Sequence, residues 1–160
     1  MRVSFVATPV WATKSPPLTT TYVAAWLARL GHEVHQLDWN IELHHHAPDP
    51  LKEYWDRTHL HKWQDDERYF AEVHPRLVEP TLDRYVERVL RHDPQVVGFS
   101  VYSMQATLAM AREIKRRKPD TFIVCGGQVC ERDFYGLRLV QQPDVDAVVM
   151  GEGEGTLVYA

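Results

Sequence analysis

The chain has 160 residues, enough for one domain with a sizeable core and too few for two. With 44% apolar residues, 25% charged residues and a net charge of −4, the composition is that of a soluble globular protein and argues for neither a nucleic acid nor an acidic membrane as partner. No apolar run approaches the roughly 20 residues that cross a bilayer, and Arg2-Val-Ser-Phe-Val-Ala is too short for a signal peptide.

Strand one is expected over about Val3–Ala7, followed by a Pro- and Thr-rich loop. Helix one is expected from about Thr20 to Leu30, with Tyr22, Val23, Trp26, Leu27 and Leu30 at helical spacing. Gly31 is placed to end it as a left-handed cap. Strand two follows over about Glu33–Asp38. Residues 39–76 then break the pattern, with most of the histidines and three of the five tryptophans (Trp39, Trp55, Trp63). They read as an insertion with short helices near Leu51–Trp55 and Asp66–Val73. A helix over about Thr81–His92 resumes the regular pattern, buried through Leu82, Tyr85, Val86, Val89 and Leu90. Strand three is Val96–Val101. The next helix, Gln105–Lys118, turns Thr107, Leu108, Ala111 and Ile114 inward, carries a basic end that suits the helix dipole, and stops at Pro119. Strand four is Thr121–Cys125 and strand five Ala147–Met150. Residues from Gly155 look like the start of another helix, so a longer protein is expected.

Strands alternating with helices imply parallel pairing and right-handed crossovers. The expected fold is α/β: a Rossmann-like or flavodoxin-like three-layer sandwich on a five-stranded parallel sheet of order 2-1-3-4-5, with a helical insertion after strand two. Its ligand crevice would open where the strand order reverses, between strands one and three.

Three strands run directly into small, polar loops. Ser100-Val-Tyr-Ser offers hydroxyls to a ligand phosphate or amide, although Ser103 also suits a helix cap. Gly126-Gly127 permits either a turn or close backbone approach. Gly151-Glu-Gly-Glu-Gly has room for a ligand but lacks the lysine of a phosphate loop, and its carboxylates suit a helix start. His44–His46, His59 and His61 have no spacing that completes a metal site and read as a solvated loop on the ligand side of the sheet. The tryptophans of the insertion read as core or interface, with a lid over a flat ligand as the alternative. Cys125 and Cys130 read as reduced thiols of a cytoplasmic protein, Cys125 being buried and inert.

Taken together, Val97-Gly-Phe-Ser-Val-Tyr-Ser, Glu113-Ile-Lys-Arg-Arg-Lys-Pro-Asp, Ile123-Val-Cys-Gly-Gly and Val145-Asp-Ala-Val-Val-Met-Gly-Glu-Gly-Glu-Gly-Thr resemble the cobalamin (B12)-binding domain at the N-terminus of many radical S-adenosylmethionine enzymes. The first 38 residues fit the same pattern less specifically. The resemblance implies a cobalamin-binding module whose candidate contacts are Thr8, Pro9 and Val10 after strand one, and Ser100, Val101, Tyr102, Ser103 and Gln105 after strand three. Gly126, Gly127, Gln128 and Val129 follow strand four, and Gly151, Glu152 and Gly153 follow strand five. The nucleotide tail would enter at the strand ends, with the corrin above them near the Thr8–Trp11 loop. Corrinoid proteins that give cobalt a histidine carry Asp-x-His-x-x-Gly after strand one. Thr8-Pro-Val-Trp-Ala-Thr has none, so the cobalamin is expected base-off without that ligand, Tyr102 and His44–His46 being the nearest groups for its lower face.

Two cysteines cannot hold the four-iron cluster of a radical enzyme. The [4Fe-4S] cluster, S-adenosylmethionine and catalysis, most simply methyl transfer, are therefore expected in a radical domain beyond residue 160, with no catalytic or direct metal-binding residue in this chain. The alternatives are the N-terminal half of a two-domain glycosyltransferase, which leaves Gly151-Glu-Gly-Glu-Gly unexplained, and a flavodoxin-like flavin-binding or interaction domain, whose phosphate loop would be interrupted by Pro16 and Pro17.

Overall fold

The computed structural model of the protein describes residues 1–15 and 17–151. Five strands, β1 (Arg2–Ala7), β2 (Glu33–Asp38), β3 (Val96–Ser100), β4 (Phe122–Gly126) and β5 (Ala147–Val148), form one parallel sheet in the order β2-β1-β3-β4-β5. This is the expected flavodoxin-like topology. Register sets Asp38, Ala7, Ser100 and Gly126 side by side along the C-terminal rim.

Handedness distributes the helices. The chain steps outward from β1 to β2, then reverses to β3, β4 and β5, so right-handed crossovers put α1 (Leu18–Arg29) on one face and the later helices on the other. That second face carries α5 (Leu82–Leu90), α6 (Met104–Arg117) and α7 (Leu137–Val140) and holds the large core, from Val97 and Ile123 to Tyr85, Met110 and Leu139. The α1 face has a small core of Val3, Phe5, Ala24 and Leu27.

α1 is rotated from the sequence expectation. Thr20, Ala24 and Leu27 are buried, whereas Tyr22 is 58% exposed and Trp26 and Leu30 also face outward. Ala24 and Leu27 pack with Val3 and Phe5 in the small core of that face. Gly31 ends the helix as expected, at φ +87°, with its N–H donating to the Ala28 carbonyl.

The insertion is helical from its first residue. α2 (Trp39–His46) begins directly after β2, capped by Asp38, whose carboxylate accepts from the Ile41 N–H at 2.9 Å. His44–His46, expected in a loop, form its last turn, a position that favours basic groups. A 3₁₀ segment (Asp49–Trp55), two short helices α3 (His61–Gln64) and α4 (Asp66–Arg68), and a π-helical stretch (Tyr69–Val78) complete it. Trp39 and Trp63 are fully buried in the large core and Trp55 packs against it.

Candidate functional site

The loops after β1 and β3 are stitched together at the rim. Thr8 Oγ1 donates to the Ser100 carbonyl and accepts from the Tyr102 N–H, both at 3.1 Å. The Ser103 N–H donates to the Pro9 carbonyl at 2.9 Å. Above them the rings of Trp11 and Tyr102 stack at 5.6 Å, 19° from parallel. Burial raises the Tyr102 pKa, and its hydroxyl lies beside the side chains of Ser100 and Thr19.

The opening therefore lies on the α1 face rather than directly between β1 and β3. A cleft of about 670 Å³ runs between α1 and the sheet, within the size range of small-molecule sites. Phe5, Gly98, Val124 and Val149 line its sheet side, and Leu18, Thr19, Tyr22 and Val23 its α1 side. Ser100, Gly126, Gly127, Gln128 and Gly151 border it at the strand ends, and Glu131 is its one charged lining residue among those described. Gly98 is essential to this shape. A Cβ there would lie 2.5 Å from the Phe5 ring, so a side chain would push the ring off β3.

The family model for the B12 binding domain matches residues 66–159, more than half of the chain. The chain belongs to the B12-binding domain family. No curated protein matches it. The match begins inside the insertion and contains β3, β4 and β5 with their strand-end loops, so the fold and the family agree on a cobalamin-binding module.

Within this B12-binding domain, Ser100, Gly126, Gly127, Gln128 and Gly151 of the candidate residues border the cleft. The others sit elsewhere. Thr8 is fully buried as the stitch between loops; Val10 and Val101 are core residues, and Val129 packs against the core. Pro9 is buried, with its carbonyl engaged by Ser103. Ser103 caps α6, accepting from the Ala106 N–H, and its hydroxyl donates to the Trp63 carbonyl at 2.8 Å. Gln105 donates to Asp66 at 2.9 Å. Tyr102 stands at the rim against Trp11. Glu152 and Gly153 lie outside the described residues.

The two glycines at the end of β4, Gly126 and Gly127, differ. Gly127 has φ +113°, and a Cβ would meet the Val101 backbone at 3.3–3.4 Å, so its bareness first admits the neighbouring loop. At Gly126 a Cβ would make only ordinary contact with Val149. Phe5, Gly98 and the α1 wall were missed from sequence. Gly98 had a readable signal, since a glycine inside a strand marks close approach.

No cluster of metal-binding side chains occurs among the described residues, and no described helix is long and apolar enough to cross a membrane. The two cysteines are free and buried. Burial pushes the Cys130 thiol up to about 12 and raises Cys125 as well, which favours the thiol over the nucleophilic thiolate.

Proposed function

We propose that this domain holds cobalamin for a radical S-adenosylmethionine enzyme, with the nucleotide tail in the cleft beside α1 and the corrin over the strand ends. The observation that carries the placement is the apolar cleft opening at Ser100, Gly127 and Gln128. Phe5, Val124 and Val149 suit the flat base of the tail and exclude water from it, while the Ser100 hydroxyl and Gln128 amide suit its polar backbone. A base held there would be kept from cobalt, as the base-off form requires. The Thr8–Trp11 loop carries no histidine, so it would offer cobalt no imidazole in place of that base.

Bound as methylcobalamin, the cofactor supplies a transferable methyl group. The most economical role for the full enzyme is methyl transfer to an unactivated carbon or phosphorus. The iron–sulfur cluster and S-adenosylmethionine would be held by a radical domain outside these 160 residues, because the chain has only two cysteines and both are buried.

Two measurements test this. Folded protein mixed with hydroxocobalamin should carry a corrin spectrum through gel filtration; a colourless protein peak overturns the cofactor placement. A Cys-x-x-x-Cys-x-x-Cys triplet should be encoded together with this domain; its absence overturns the radical-enzyme reading.

A further inference from the structure

Asn40, in the first turn of α2, is fully buried. Its side-chain amide grips the main chain of one residue on both sides: Oδ1 accepts from the Trp11 N–H and Nδ2 donates to the Trp11 carbonyl, each at 3.2 Å. The indole N–H of Trp55 also donates to Oδ1, at 2.8 Å. An indole nitrogen can only donate, so this contact fixes which way the amide faces. A buried amide engaged through both its oxygen and its nitrogen specifies one geometry for the loop it holds.

Trp11 is thereby held with its ring on Tyr102. The two rings come from the loops after β1 and β3, the strands at the point where the sheet order reverses, which is where open α/β sheets receive ligands. The insertion braces the second loop too, since the Ser103 hydroxyl donates to the Trp63 carbonyl and Gln105 donates to Asp66. The indole Nε1 of Trp11 is buried without a partner among the described residues. Its nitrogen lone pair belongs to the aromatic system, so the ring can present a face to a macrocycle but no lone pair to its metal.

We infer, resting on the cobalamin placement above, that the Trp11–Tyr102 pair is the floor beneath the corrin ring and that Asn40 is the positioning residue through which the helical insertion sets it. The insertion would then brace the seat of the macrocycle, whose ring would lie on the outer side of this aromatic stack, where Trp11 offers the metal no lone pair.

The test compares cobalamin with cobinamide, which keeps the corrin but lacks the nucleotide tail, by absorbance titration of the folded protein. Trp11→Ala should weaken both ligands by the same factor, about fivefold or more. Trp11→Phe should restore both, and Trp26→Ala, on the outer side of α1, should change neither. Asn40→Ala should reproduce Trp11→Ala on both ligands; if that variant does not fold, the Trp11 series decides alone. Unchanged binding in Trp11→Ala overturns the inference, and so does a loss confined to cobalamin, which would put Trp11 on the tail. A wild-type protein that binds neither ligand overturns the cobalamin placement itself, and this inference with it.

Discussion

The Thr8 hydroxyl accepts a hydrogen bond from the N–H of Tyr102, 94 residues along the chain, and donates its own to the carbonyl of Ser100. The bond closes the rim between β1 and β3 and leaves the α1 face as the way into the sheet. Thr8→Val keeps the shape and removes the hydroxyl, leaving the half-buried Tyr102 N–H without its acceptor. The expected cost is about 1–3 kcal/mol, read from urea unfolding. A change within error of zero would mean that water replaces the hydroxyl.

A substitution at Gly98 tests the proposed tail site apart from the proposed corrin site. Gly98→Ala puts a methyl group into the Phe5 ring, and overpacking of this kind costs about 1–3 kcal/mol. The displaced ring narrows the cleft, so cobalamin affinity should fall while cobinamide affinity stays near wild type. Equal losses for both ligands would place the tail elsewhere.

Glu113 on α6 accepts hydrogen bonds from Arg116 and Arg117, which hold its carboxyl down to about 2 from a usual 4.5. A carboxyl lowered in the folded state adds stability above its unfolded pKa and loses it as the pH falls from about 4.5 towards 2. Arg116 is largely exposed, so solvent screening limits the gain to about 1 kcal/mol. Glu113→Gln should be less stable by that amount at neutral pH, and the gap should close on acidification. A gap that persists near pH 2 would show that packing, not charge, is responsible.

The thiols should be silent. Cys125 and Cys130 are buried with raised pKa values, so an aromatic disulfide reagent should label neither in native protein and both in denaturant. Rapid labelling without denaturant would show that the β4 loop opens.

Much of the architecture was legible because it depends on local pattern. The stripes of α5 and α6, the Gly31 cap and the alternation of strand and helix each follow from periodicities within a few residues. The stripe of α1 misled, because Tyr22 and Trp26 repeat at helical spacing yet stay exposed, Tyr22 on the wall of the cleft. The side of α1 that meets the sheet carries Thr20, Ala24 and Leu27, and spacing alone does not single that side out. His44–His46 misled in the opposite sense: three consecutive histidines look like loop, and the Asp38 cap made them helix.

The sequence by itself determined the order of strands and helices, the family, and which loops gather at the C-terminal rim. Only the tertiary structure decided what those loops do with their polar groups. Thr8 and Ser103 looked available to a ligand, and both are spent on partners 40 to 94 residues away. It also decided that the opening lies beside α1, that Gly98 shapes it, and that an asparagine of the insertion grips Trp11. Periodicity is a property of neighbours along the chain, whereas a hydrogen-bond partner is chosen by whatever folding brings within reach of it.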